Sequence, residues 1–157
     1  MKIKYDEKEK TRLKKMWEYE HRCFEKSYIR VAGIDEAGRG PLAGPVVAAA
    51  VILDRNIIIP GINDSKKLSE KKREYLHSEI IDKAISVGIG IVNESIIDDI
   101  NILNATHLAM KKAIQNLHLK PDFLLIDAET LSDINIPQMP ITKGDTLSIS
   151  IAAASII

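Results

Sequence analysis

The chain has 157 residues, 45% of them hydrophobic and 28% charged, with 22 basic side chains balancing 22 acidic ones. That suits one globular domain with a sizeable core and argues against binding polyanions through bulk charge, though not through local patches. A single cysteine, Cys23, excludes an internal disulfide framework, and no apolar stretch approaches the roughly 20 residues of a membrane span, so a reducing, cytoplasmic setting is expected.

Residues 1–27 form a charged segment in which Leu13, Trp17 and Phe24 recur at roughly helical spacing. This predicts one amphipathic helix whose charges form a solvated face. From Tyr28 the composition turns apolar. YIRVAGID (28–35) and PVVAAAVIL (45–53) read as strands joined by a short glycine–proline turn, hence as antiparallel partners. Residues 54–64, with Pro60 and Gly61, form a loop, and the run from Ser69 to Ala84 reads as a helix capped by Ser69. ISVGIGIVN (85–93) alternates like a third strand, and close backbone approach explains its Gly88 and Gly90. Asn93 is placed to cap a short helix, ESIIDDI, ahead of a longer one, NATHLAMKKAIQNL (104–117).

DFLLID (122–127) is an apolar run ending in an acid, the pattern of a buried parallel strand. MPITKGD (139–145) holds a short strand, and TLSISIAAASII (146–157) opens a final helix. Strands come first and alternation later, which predicts an α/β mixed sheet with helices on its faces and ligands at strand ends.

Carboxylates stand at three places where apolar sequence stops: Asp35 with Glu36, Asp127, and Asp145. Burying an unpaired charge costs several kcal/mol, so three such places point to a cation that gathers them. All-oxygen donors suit magnesium or manganese rather than zinc. His21, His77, His107 and His118 are scattered and form no competing cluster. Asp35 and Glu36 are neighbours, and neighbours on a regular strand face opposite sides. Both reach one site only if the strand ends or bulges there; otherwise Glu36 contributes through its backbone or not at all. Beside them, Gly38-Arg39-Gly40 combines a backbone open to close approach with a forked phosphate donor. Lys66, Lys67, Lys71, Lys72 and Arg73 make a basic group, and Lys143 lies two residues before Asp145.

These motifs resemble one family. GIDEAGRGPLAGPVVAAAVIL, DSKKLSEKKRE, NATHLAM, LLIDAE, and KGD followed by SISIAAASII look very much like bacterial ribonuclease HII, in that family's order and from about Arg30 to Ile157. The charged N-terminal segment is similar to the extension of the Bacillus and Clostridium type. The resemblance implies an RNase H-like mixed five-stranded sheet flanked by helices (28–157) behind an N-terminal helical extension (1–27). It implies a monomeric, metal-dependent endonuclease. Such enzymes cut the RNA strand of RNA–DNA hybrids, and cut 5′ of ribonucleotides embedded in duplex DNA.

Carried over by motif, Asp35, Glu36, Asp127 and Asp145 would be the catalytic, metal-binding carboxylates, holding two magnesium or manganese ions. Gly38, Arg39 and Gly40 would contact the ribose 2′-hydroxyl and phosphates, with Lys66, Lys67 and Lys143 as further substrate contacts. The chain stops inside an uncapped apolar helix, so a family member truncated at its C-terminus is expected. The alternatives are a hybrid- or metal-binding module that does not cleave, and an ATP-binding phosphotransferase of the same fold.

Overall fold

The computed structural model describes residues 1–37 and 44–157. Its sheet contains β1 (Val31–Ala37), β2 (Val46–Ile52), β3 (Ser86–Val92), β4 (Phe123–Asp127) and β5 (Gln138–Ile141), in the order β3-β2-β1-β4-β5. β2 is antiparallel to both β1 and β3, whereas β4 is parallel to both β1 and β5. The sheet is therefore mixed and five-stranded, as the order of sequence patterns predicts.

Side chains alternate across the sheet, and the two faces meet different helices. Ala32 and Ile34 of β1, Ala48, Ala50 and Ile52 of β2, and Leu124 and Ile126 of β4 pack with Ala105, Ala109 and Ala113 of α4 (Glu94–Gln115). Ala49 and Val51 pack instead with Ile149, Ala152 and Ala153 of α6 (Ile149–Ile156). The α4 contact is close because Gly88 and Gly90 lack side chains: a Cβ there would lie 2.1 Å from the Ala113 carbonyl oxygen and 2.0 Å from that of Ala109.

The two helices expected at 94–100 and 104–117 are the halves of α4, joined at Asn101, whose φ of 69° and ψ of 170° interrupt the helix. Asn93 caps the first half by accepting from the Ile96 amide, and Asn101 restarts the second by accepting from the Asn104 amide.

In two places the chain breaks where one helix is expected. Residues 1–27 hold α1 (Glu7–Met16) and α2 (Glu18–Glu25), separated at Trp17. There the backbone reaches ψ −3°, and the Trp17 amide is shared between the Leu13 and Lys14 carbonyls. The indole is drawn into the core, with Leu13 and Met16 in the same cluster as Ile149, Ala152 and Ala153. The C-terminal helix is likewise preceded by a single turn, α5 (Gly144–Leu147). Ser148 adopts extended backbone between the two, and its hydroxyl oxygen accepts from the Ile151 amide to start α6. Between β2 and β3, a 3-10 turn at Ser65–Lys67 leads into α3 (Glu70–Lys83), which Ser69 caps as expected. Among the described residues, no helix is long and apolar enough to cross a membrane.

Candidate metal centre

β1 and β4 run parallel as neighbours, with Ile34 level with Ile126. The next residue on each is an acid, Asp35 on β1 and Asp127 on β4, so both stand at the same edge of the sheet. They also share a face. Their even-numbered neighbours Ile34 and Ile126 point into the α4 side, so alternation sends Asp35 and Asp127 to the α6 side. Asp145 arrives from α5, just ahead of α6. Each of the three offers a carboxylate oxygen within 4.8 Å of the others.

Backbone geometry brings α5 this close. Gly144 donates its amide to Asp127 Oδ1 at 2.8 Å. A Cβ on Gly144 would stand 2.6 Å from the Ile151 side chain and 3.4 Å from that same Asp127 oxygen. The turn into α5 runs through Lys143, whose φ of 56° lies in the left-handed region.

The cluster is crowded with negative charge. Asp35 and Asp145 are each only 6% exposed. Burial pushes the Asp35 carboxyl up to about 9, helped by the charges of Asp127 and Glu36, although the Glu36 amide donates to Asp35 Oδ1 at 2.8 Å. Burial also raises Asp145, with Asp127 and Asp64 adding to the effect and Lys66 opposing it. Lys66 Nζ lies 3.6 Å from Asp145 Oδ2 and 3.9 Å from Asp64 Oδ2, and Asp145 above all holds its ammonium above the ordinary lysine value. Its side chain is 78% exposed, so it screens the cluster from the rim rather than neutralising it from within. Carboxylate oxygens that crowd together at a sheet edge are a hard donor set suited to divalent cations.

The other residues singled out from sequence fall elsewhere. β1 keeps its register with β2 through Ala37. Glu36 therefore leaves on the α4 side and is not among the three acids that converge. Lys67 lines a groove between the N-terminal segment and α3, together with Lys2, Lys8 and Lys72. Lys143 is exposed and contributes its carbonyl to the α5 turn, accepting from the Thr146 amide and hydroxyl. Gly38, Arg39 and Gly40 lie outside the described residues. His107, one of the scattered histidines, pairs with Glu129 at 3.1 Å.

Asp64 escapes sequence reasoning. It is 4% exposed, adds to the forces that push the Asp145 carboxyl up, and accepts from the Lys66 amide at 3.1 Å. An acid opening an SKK turn is a visible signal, but it reads as a local cap until the fold sets it against Asp145.

The family model of ribonuclease HII matches residues 32–157. The chain belongs to the ribonuclease HII family. It is 62% identical over 156 residues to the ribonuclease HII of Acetivibrio thermocellus, covering 99% of this chain and 60% of that one. With the ribonuclease HII of Clostridioides difficile the identity is 56% over 150 residues, covering 96% and 59%. Among solved structures, the ribonuclease H2 of Pyrococcus horikoshii superposes with a TM-score of 0.66 at 29% identity, over 81% of this chain and 69% of that one. The chain thus spans about 60% of the length of the ribonucleases HII it matches.

Proposed function

We propose that this chain provides the metal-binding catalytic centre of an endoribonuclease. Its substrates would be RNA–DNA hybrids and duplex DNA with embedded ribonucleotides, the latter cut on the 5′ side of the ribonucleotide to leave 3′-hydroxyl and 5′-phosphate ends. The observation that carries this is the meeting of Asp35, Asp127 and Asp145 within 4.8 Å, in a chain of the ribonuclease HII family.

The donor set fits hard divalent cations. Three acids held this closely repel one another, and raised carboxyl values follow from that crowding and from burial. Two magnesium or manganese ions would be held by Asp35, Asp127 and Asp145. When bound, they supply an acidified water for attack at phosphorus and positive charge for the leaving 3′-oxygen.

The chain's own groups do the rest. Asp35 and Asp127, on adjacent parallel strands, set the spacing of the ligand oxygens, and the Gly144 amide fixes the orientation of the Asp127 carboxylate at 2.8 Å. Lys66 reaches the rim of the cluster, where its ammonium can meet a phosphate oxygen beside the scissile bond. Glu36, at the same strand end on the opposite face, is a fourth carboxylate carried by the family motif. Arg39, between Gly38 and Gly40, is suited to phosphate, and the glycine amides to the 2′-hydroxyl that separates RNA from DNA. Lys67 and Lys143 would add backbone contacts further out. A monomer in the cytoplasm satisfies these requirements.

The test is cleavage of a duplex containing one ribonucleotide, with manganese, with magnesium and with chelator. Metal-dependent incision 5′ of the ribonucleotide is expected, abolished in Asp35→Asn while hybrid binding persists. Equal loss of cleavage and binding in that variant would remove Asp35 from the catalytic role.

A further inference from the structure

The proposed chemistry leaves one fully buried acid unused. Glu20, on α2, has 0% exposure, and burial raises its carboxyl above the ordinary value. It lies 128 residues from Ser148 in sequence, yet its Oε2 accepts from the Ser148 hydroxyl at 2.6 Å and from the Ser150 amide at 2.9 Å. Its other oxygen, Oε1, is buried with no hydrogen-bond partner among the described residues. A buried carboxylate so placed is costly if packing is all it provides.

What it grips is the joint between α5 and α6. The Ser148 amide closes α5 by donating to the Gly144 carbonyl at 2.8 Å, while its hydroxyl oxygen caps α6 through the Ile151 amide at 3.3 Å. Asp145 lies in α5, three residues before this joint. The opposite wall is β1, where a Cβ on Gly33 would meet the Ser150 carbonyl carbon at 2.2 Å, so backbone touches backbone two residues before Asp35. The joint is therefore clamped between β1 and α2, with Glu20 supplying the α2 side.

We propose that Glu20 is a positioning residue for the carboxylate cluster: from the N-terminal helices it fixes the Ser148 joint and thereby the place of Asp145 relative to Asp35 and Asp127. This rests on the reading of the cluster as a divalent-cation site. Loss of a group that orients a metal ligand typically weakens affinity by about 10–100-fold.

The experiment is calorimetric titration of the 157-residue chain with manganese, with melting curves recorded with and without the ion. Glu20→Ala is expected to weaken manganese binding by roughly 10-fold. Glu20→Gln keeps an acceptor oxygen for Ser148 and Ser150 and should bind like the wild type. Ser148→Ala, which removes one of the two bonds, should fall between them and carries the test if Glu20→Ala fails to fold. A folded Glu20→Ala or Ser148→Ala variant with wild-type affinity and a melting temperature lowered equally with and without manganese overturns the proposal. Asp35→Asn is the control for the underlying reading. If it binds manganese as the wild type does, the ion sits elsewhere and both ideas fall; if it loses the ion while Glu20→Ala does not, only the positioning role falls.

Discussion

Replacing Gly33 by alanine tests how tightly the site is built. A Cβ at Gly33 would lie 2.2 Å from the Ser150 carbonyl carbon and 2.4 Å from the Ile151 amide nitrogen, where ordinary contact needs 3.4–4 Å. Both atoms are backbone, so no side-chain rotation relieves the clash. α6 must withdraw from β1 by roughly 1.2 Å or more for the contact to become tolerable. Overpacking of this kind costs typically about 1–3 kcal/mol, and two facing backbones with no flexible partner put Gly33→Ala near the upper end. At about 2–4 °C per kcal/mol for a chain of this size, the melting temperature should fall by roughly 6–12 °C. The same withdrawal pulls on the Ser148 joint and hence on Asp145, so manganese affinity should drop along with stability. Thermal unfolding by circular dichroism and manganese titration below the transition measure the two effects. A melting temperature within about 2 °C of the wild type, a shift worth under about 1 kcal/mol, would refute the claim that backbone contact sets the α6–β1 distance. A large drop with unchanged manganese affinity would show that helix placement does not reach the cluster.

Other consequences follow from the charges. Asp35→Asn relieves a cluster in which three acids lie within 4.8 Å, so the chelator-treated variant should melt above the wild type even though it loses the ion; a lower melting temperature would count against repulsion in the metal-free state. Because burial raises the Glu20 carboxyl above its ordinary 4.5, the stability it contributes is fully present below about pH 4.5 and is lost as pH rises through the raised value. Glu20→Gln has no such dependence, so its urea midpoint should gain on that of the wild type as pH rises above about 4.5; parallel profiles would contradict the raised value. Lys66, with a 78% exposed side chain, should contribute less than about 1 kcal/mol to stability. Lys66→Ala is expected to leave the melting temperature nearly unchanged while raising KM for a hybrid several-fold and flattening its salt dependence. An unchanged KM and salt slope would take the lysine out of phosphate contact.

Much of the fold could be read locally. Period-two alternation marks β3, apolar runs on either side of a short glycine–proline turn mark β1 and β2, an apolar run ending in an acid marks β4, and Ser69 and Asn93 announce their helices by side chains that cap amides three residues on. These signals are legible because they depend on residues within one turn or one strand. Asp35, Asp127 and Asp145 stood out for a similar reason, as acids at the ends of apolar runs. The break at Trp17 was not legible, because α1 and α2 have suitable residues throughout and the indole bends the chain only by entering a core shared with α6.

Taken alone, the sequence determined which acids stand where apolar runs end and which family pattern they follow. Only the tertiary structure decided how they are shared out. The unbroken register of β1 with β2 gives Asp35 and Glu36 opposite faces, and a single extra residue in that strand would have reversed them. Asp64 becomes more than a cap only where the turn meets Asp145. Glu20 and Ser148, 128 residues apart, find each other through the packing of α2 and α6 on one core. Nothing short-range in the chain encodes a bond of that span, because it exists only where packing brings the two distant segments together.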